Sequence, residues 1–545
     1  GLYQAESGSD RVKKVGGIDG PVAAVCVTKT GVVALGPDGW WTVAETGLQR
    51  SALPCSRKIR SVMEDPAGIF WIATGMGLYH GNDSSGTLYE KSEEIASTDV
   101  RGVAYAPDGS VWAAGLGGIT VYRDGRYATR YTPKDGLPSA QANCVTQGPD
   151  GRMWVGTHMG AARFDGNTWS VRCSRRWLLD NDVRDIAFDA EGTAWLATAK
   201  GVSAIKRRQM TLDEKARYFL EISLARHVRA PGLVEKCVLP KAGDVTKWEP
   251  VDDDNDGQYT AMHLVAESFR YAVTKDPDAR AQAKQAFEAL HLLQTITDTP
   301  GFVARTVIPL TWTSMADPNQ NYTDRERAEE RVQEPRGKLV EQRWHHAGQW
   351  RWKGDTSSDE MTGHFYSYGF YYDLAADDEQ RLVVRGHVRR IMDYIIEHNY
   401  TLVDIDGQPT RWGVWAPERL NEDPDWRAER GINSVEILSY LKTAWHITGE
   451  EKYQNEYLHL IRDHGYGENV RNAKTFEPAW RTHIDDELLA LAYPALLRYE
   501  TDPALLALYR ESLDHWYAGV RNEQNALANV TYGLLTGRDP QLNDT

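Results

Sequence analysis

Residues 350–375, WRWKGDTSSDEMTGHFYSYGFYYDLA, concentrate acid–base groups where a core would carry Leu and Val. Lys353, Asp355, Asp359, Glu360, His364, Tyr366, Tyr368, Tyr371 and Tyr372 all lie there. Histidine titrates near neutrality and can take a proton. Tyrosine can give one to a leaving oxygen, or act as a base where a cation lowers its pKa. A helix through the stretch puts His364, Tyr368 and either Tyr371 or Tyr372 on one face, whereas an extended chain aligns both Tyr366 and Tyr368 with His364. Solvated helices carry Glu and Lys rather than a row of tyrosines, so the face reads as the wall of a site. The bland reading is a core histidine bonded to a backbone carbonyl.

Two chemistries use such a set. Removing a proton beside a carboxylate and expelling the oxygen on the next carbon needs a cation, a base and an acid. On that scheme His364 is the base or its close partner, Tyr368 or Tyr366 the proton donor, and Arg411 with Lys353 the carboxylate clamp. Glycoside hydrolysis needs instead two carboxylates about 5–10 Å apart, for which Asp355, Asp359 and Glu360 are candidates. A third class is a non-catalytic glycan sensor or binding protein.

Other polar clusters accompany this one. DDDNDGQYTAMHLVAESFRYAV sets Asp252, Asp254 and Asp256 ahead of Gly257 as a calcium loop begins, but the twelfth position is His263 rather than Glu. Carboxylates at a helix start suit the dipole without any function. The site reading makes Asn255 and Asp256 a lip that bonds sugar hydroxyls. TRWGVWAPERLNEDPDW follows a DIDGQP turn and sets Arg411 beside Trp412 and Trp415. Pro409 and Pro417 exclude a helix through it, and the Arg fork matches a carboxylate. RGINSVEILSYLK opens a helix with Asn433 as its cap and Glu436 one turn in.

The elements that must position these groups fall into two kinds. EDPAGIFWIATGMGLYH, APDGSVWAAGLGGITVY, GPDGRMWVGTHMGAARF and DAEGTAWLATAKGVSAI share a turn Gly, a Trp three residues on and a second Gly. Trp71, Trp112, Trp154 and Trp195 are spaced by 41, 42 and 41 residues, and a degenerate copy at Gly31 precedes them. That period, with short strands and Asp-Gly turns, is the signature of a propeller, here of about five blades. After residue 208 the period becomes helical: Thr211 and Glu214 stand at capping-box spacing. Helical stretches follow near 258–275, 278–297, 323–343, 378–397, 432–447, 450–464, 484–500 and 502–519. Many helices joined by polar loops suggest an (α/α) toroid or incomplete barrel. The expected domains are a β-propeller over 1–208 and a toroid carrying the site over 209–545.

Charge and composition narrow the partners. A net charge of −15 argues against a nucleic-acid coat. No run is long and apolar enough for membrane insertion, and the chain opens without a signal peptide. The five cysteines are scattered and form no CxxC, so neither a disulfide framework nor a metal site is expected. With 19 Trp and 26 Tyr, the chain has flat faces to stack on sugars.

The repeat resembles the propeller repeats of two-component regulator sensors. The set DNDGQYTAMHLVAESFRYAVT, KGDTSSDEMTGHFYSYGFYYDL, DGQPTRWGVWAPE and RGINSVEIL resembles the helical domain of bacterial propeller–toroid polysaccharide lyases, in the rhamnose–glucuronate lyase group. That resemblance implies β-elimination on a uronate-containing glycan without a cofactor, with an acidic poly- or oligosaccharide as substrate, in the periplasm or outside the cell. Carried onto this chain, it implies His364, Tyr366, Tyr368 and Arg411 as catalytic residues. Substrate binding then falls to Lys353, Asp355, Asp359, Trp412, Trp415, Asn255, Asp256 and Tyr259. Hydrolysis by paired carboxylates is the alternative, and glycan sensing the second.

Overall fold

The computed structural model describes residues 2–539, apart from 6–11, 16–20, 30, 37–38, 45–46, 52–57, 83–84, 92, 313–314, 316–322, 326–327, 329–342 and 475–483. The chain divides into two compact units, one running to Gln209 and including Asn522–Gln524, the other taking most of the chain from Met210 onward. The helix expected over 323–343 lies largely outside the described residues.

The first unit is a series of antiparallel meanders. A hairpin of β1 (Tyr3–Ala5) and β2 (Val12–Lys14) precedes four four-stranded sheets, spanning residues 24–51, 59–89, 100–131 and 142–172, and a three-stranded sheet over 183–205. The first strand of each sheet lies against the first strand of the next, as in a propeller. Every repeat Trp is the second residue of the second strand in its sheet: Phe70–Thr74, Val111–Gly115, Met153–Thr157 and Ala194–Thr198. The second Gly of each repeat, at 77, 118, 160 and 201, has φ between 103° and 136°, which a side chain would strain. Where the strand ends on Thr, that hydroxyl closes the same turn, as in Thr157 Oγ1 to the Gly160 carbonyl at 2.7 Å.

Apolar cores form between successive sheets. Trp71 packs with Val103, Val111 and Tyr122 of the next sheet; Trp112 with Met153 and Val155; Trp154 with Ile186 and Leu196. Trp195 breaks the pattern. It is 46% exposed, and no further sheet of the repeat follows it among the described residues to cover it. Its indole still donates to Asp189 at 2.8 Å, as Trp71 does to Asp65 at 3.2 Å, so the local turn chemistry is intact without the packing.

The second unit begins with α1 (Leu212–Arg226), whose Thr211 and Glu214 make the capping box read from sequence. Helical hairpins follow: α2 (Asp256–Thr274) with α3 (Pro277–Thr295), α4 (Ser358–Leu374) with α5 (Asp378–Glu397), α6 (Arg430–Thr448) with α7 (Glu451–Asp463). After the short α8 (Tyr466–Arg471) come α9 (Ile484–Tyr499), α10 (Pro503–Val520) and α11 (Ala526–Thr536). The first helix of each hairpin packs on the others: α2 on α4, α4 on α6 and α9, α6 on α9. Accordingly α6 has no exposed face from Gly431 through Ala444, its polar residues there included.

Strands are more frequent here than the sequence suggested. Thr306–Pro309, Trp350–Lys353 and Trp344–Ala347 form a three-stranded sheet, and Thr401–Val403 pairs with Pro409–Val414. Asn433 does not cap α6. The helix starts three residues earlier, and Asn433 Nδ2 donates to the Val414 carbonyl at 2.8 Å.

The packing difference between repeats is measurable. Trp154→Ala, at 4% exposure, should cost about 3–5 kcal/mol in the propeller's unfolding transition, and Trp195→Ala, at 46%, about 1 kcal/mol or less. Denaturant melts followed by circular dichroism check this; equal losses would mean that Trp195 is covered as the others are.

Candidate functional site

Helix starts carry the site. The N-cap residues of α2, α4 and α6 are Asn255, Ser357 and Glu429, and none caps its own helix with its side chain. On α3, α5 and α10 the N-caps Asp276, Asp377 and Asp502 do cap, each accepting from a first-turn N–H, whereas Glu450 of α7 does not. Side chains at these starts reach across to the first turn of another helix instead. Asn255 Nδ2 donates to Asp359 Oδ2 at 3.5 Å. The Gln258 N–H donates to Glu360 Oε1 at 3.4 Å, and Gln258 Nε2 to Glu487 Oε1 at 3.1 Å. The first turns of α2, α4 and α9 are thereby joined across chain separations of 102 and 229 residues.

This meeting of helix starts, here termed the mouth, is rich in carboxylates. Asp359, Glu429, Asp485, Glu487 and Tyr259 are half-buried. Burial raises the Asp359 carboxyl, Arg305 restrains the rise, and Asp485 adds to it. Burial pushes Glu429 up to about 7, with Asp485 and Asp359 contributing and Lys474 opposing. Glu487 is raised by burial and then by Asp359. Tyr259 is pushed up to about 12 by burial and the surrounding Glu487, Glu235, Glu360 and Asp359. Carboxyls that stay protonated near neutrality, beside others that ionise, can give and take protons in one reaction. Asn255 Oδ1, Gln258 Oε1 and Ser357 Oγ are buried without a hydrogen-bond partner.

Beneath the mouth lies a layer of ion pairs. Asp254 meets Lys353 Nζ at 2.8 Å, Arg343 at 3.1 Å and Arg305 at 3.6 Å. Burial pushes its carboxyl up, but Arg305, Lys353 and Arg343 together hold it well below the usual carboxylate range. Lys353 also lies 3.6 Å from Asp252. Asp256 is ion-paired with Arg229, accepts from Thr306 Oγ1 at 2.5 Å, and takes the Asp253 N–H at 2.8 Å. The aspartates that resemble a calcium loop are thus answered by guanidinium and ammonium groups. Asp355 accepts the Arg411 N–H at 2.9 Å and lies 3.6 Å from the Arg411 guanidinium.

The residues singled out from sequence therefore part into groups. Asn255, Tyr259 and Asp359 come together at the mouth, joined by Gln258, Glu429, Asp485 and Glu487, which sequence reading did not select. Lys353, Asp355, Asp256 and Arg411 belong to the ion-pair layer; the first three are fully buried, and Arg411 is half-buried. Trp415 is fully buried, its indole donating to Glu436 Oε2 at 2.9 Å. Trp412 is exposed and stands edge-on to Trp426 with centroids 6.3 Å apart. Because α4 is helical, His364 and Tyr368 share a face and are hydrogen-bonded, while Tyr366 turns away to pack edge-on against Phe370. Both His364 and Tyr368 are fully buried; burial drops the imidazole to about 3 and lifts the phenol well above 10.

Comparison with known proteins bears on the first unit alone. Residues 136–159 match the two-component regulator propeller repeat. No curated protein matches the chain. Among solved structures, the extracellular domain of a candidate hybrid two-component system of B. thetaiotaomicron is 18% identical, with 35% of this chain and 34% of that one covered and a TM-score of 0.28. A second such domain from the same organism is 16% identical over 37% and 29%, with a TM-score of 0.31. Virginiamycin B lyase from Staphylococcus aureus is 14% identical over 35% and 72%, with a TM-score of 0.28. The match spans about a third of the length of the sensor domains, and likenesses this distant carry nothing about chemistry. Among the described residues no helix is long and apolar enough to cross a membrane.

Two stability tests follow from the charges. Asp254→Asn leaves Lys353 and Arg343 without their shared partner and should cost about 3–5 kcal/mol. Asp254 titrates lower folded than unfolded, so its contribution is full above about pH 4 and is lost as pH falls through the folded value. Glu429 behaves oppositely: its folded pKa of about 7 lies above the unfolded one, so wild-type stability declines as pH rises from about 4.5 toward 7. Glu429→Gln should gain on wild type across that window in thermal melts at matched pH. A constant difference between the two would contradict the placement of Glu429 at the mouth.

Proposed function

We propose that this protein is a glycan-processing enzyme that hydrolyses a glycosidic bond at the carboxylate mouth of its helical unit. The observation that carries the reading is the meeting of two half-buried carboxylates, Asp359 and Glu429, at the starts of two helices packed on each other, close enough that Asp359 adds to the burial and to Asp485 in raising Glu429 to about 7. A carboxyl protonated at neutral pH can protonate a leaving oxygen, while an ionised neighbour activates water or attacks the sugar. Glu429 takes the first role and Asp359 the second. Asn255, Gln258 and Tyr259 hold ring hydroxyls, and exposed Trp412 offers a stacking face. In the same proposal the inner helices close into an (α/α) toroid, the five sheets form a five-bladed propeller, and the protein acts outside the cytoplasm on a polymer.

Uronate β-elimination is the second reading, supported by the resemblance of the sequence motifs and by one observation. The neutral His364 imidazole has Nε2 without a partner, 4.0 Å from Glu360 Oε2, as a waiting base would. Against it stand the full burial of His364 and the internal partners of Lys353. The other member of the expected clamp, the half-buried Arg411, itself faces Asp355.

Incubation with neutral and glucuronate-containing polysaccharides separates the readings. Reducing ends released without ultraviolet absorbance are expected; an absorbing unsaturated uronate would move the assignment to elimination. Asp359→Asn and Glu429→Gln should each lower kcat by roughly 100- to 10,000-fold with folding retained, and wild-type rates in both variants would overturn the assignment of the pair.

A further inference from the structure

Under the mouth runs a buried chain of hydrogen-bonding rings that the proposed chemistry does not use. His291, half-buried on α3, has Nδ1 3.0 Å from His387 Nδ1 on α5. His387 Nε2 lies 2.6 Å from the Tyr368 hydroxyl on α4, and that hydroxyl also bonds His364 Nδ1. His364 Nε2 then faces Glu360 Oε2 at 4.0 Å, roughly 1 Å longer than a hydrogen bond. Both of those atoms are fully buried and lack any other partner. Gly257 of α2 leaves them room: a Cβ there would stand 2.2 Å from Glu360 Oε2 and 2.8 Å from His364 Nε2. Glu360 itself is tied to the mouth through Gln258, which reaches Glu487.

We propose that His291, His387, Tyr368, His364 and Glu360 form a proton relay between the outer face of the helical unit and the floor of the mouth. Neutral imidazoles carry one N–H each, so every member must donate at one end and accept at the other. The chain then has only two directions. With Glu360 ionised, His364 Nε2–H points at it, Tyr368 donates to His364 Nδ1, His387 Nε2–H to Tyr368, and His291 Nδ1–H to His387. A proton arriving at His291 Nε2 shifts each bond in turn and ends on Glu360. Every ring then still holds one proton, on its other nitrogen, and Tyr368 donates to His387. The net change is one proton moved from solvent to the Glu360 carboxylate, with every other group keeping its charge and each ring its new tautomer.

The surroundings keep the interior members neutral. His387 is lowered well below its ordinary value by burial, then by His291, His364 and Arg390. His291 is lowered by burial and Arg390, with Glu288 opposing, yet it is the one ring that meets solvent. Glu360 is raised well above its ordinary range by burial, with Arg305 opposing and Asp256 and Asp359 adding. Phe287 packs on the rings of His291, His387 and Tyr368 and excludes water from the middle of the chain.

The test reads tautomers rather than turnover, so it stands apart from the hydrolase assignment. In the full-length protein with ¹⁵N-labelled histidine, long-range ¹H–¹⁵N spectra across pH report which nitrogen of His364 and His387 is protonated, with His→Gln variants for assignment. The two rings should exchange tautomer together at a single pH, and Glu360→Gln should abolish that exchange. Tyr368→Phe should uncouple them, leaving His387 independent of Glu360. His291→Gln, at the half-exposed end where folding is least at risk, should keep the tautomers but slow their exchange. Fixed tautomers throughout, or an exchange that survives Glu360→Gln and His291→Gln alike, would overturn the relay.

Discussion

Bringing several helix starts to one place is the constraint on which the helical unit depends. Each start leaves unpaired N–H groups and the positive end of a dipole pointing outward. Where α2, α4, α6 and α9 converge, the site fills with carboxylates that answer that field: Asp359, Glu429, Asp485 and Glu487. The field favours their ionised forms, but burial and mutual repulsion act the other way and win, since Asp359, Glu429 and Glu487 all titrate high. Helix N-caps that leave their own helix uncapped give up about 1 kcal/mol each. Local structure and site geometry conflict there, and such conflicts mark function.

The convergence is held by the ion-pair layer. Its cations come from segments far apart in sequence: Arg229 before α2, Arg305 before one strand of the small sheet, and Lys353 at the end of another. Their partners Asp252, Asp254 and Asp256 lie together where the chain enters α2. Buried pairs of this kind are weak stabilisers but strong specifiers, because breaking one strands a charge. Here they set where α2 begins relative to the sheet, and so where Asn255, Gln258 and Tyr259 stand.

Much of this was legible in the sequence wherever local geometry dictates residue type. The turn glycines and the Trp of each repeat follow from backbone angles and one strand position, so the sheets could be counted from spacing. The exposure of Trp195 could not, because it depends on a neighbour rather than on the repeat. Helices were visible by period, but Asn433 resembled a cap only because the true start, Arg430, lacks a capping signal. Glu429 and Glu487 escaped notice since acidic residues at helix starts have an ordinary explanation. What distinguishes them is whom they face, and the Gln258–Glu487 contact spans 229 residues. His364 and Tyr368 were rightly grouped on one face, yet nothing in their spacing tells a site wall from a buried polar chain.

Arg305 links the two halves of this design. Its Nε donates to the Asp355 carbonyl at 2.5 Å and its guanidinium to the Asp254 carbonyl at 3.1 Å, so the backbone of both loops grips it. Burial acts against its charge, and Asp254, Asp355, Asp359 and Glu360 together sustain it. The same charge restrains both Asp359 and Glu360 from rising further. A residue fixed so firmly for the fold therefore also sets the protonation of the mouth and of the relay's inner end. Replacing it with Lys would keep the charge while losing the planar fork that reaches both carbonyls. The carboxylates would then titrate differently even if every one of them stayed in place. Acid–base behaviour at this site is thus a property of the ion-pair layer as much as of the carboxyls that face solvent.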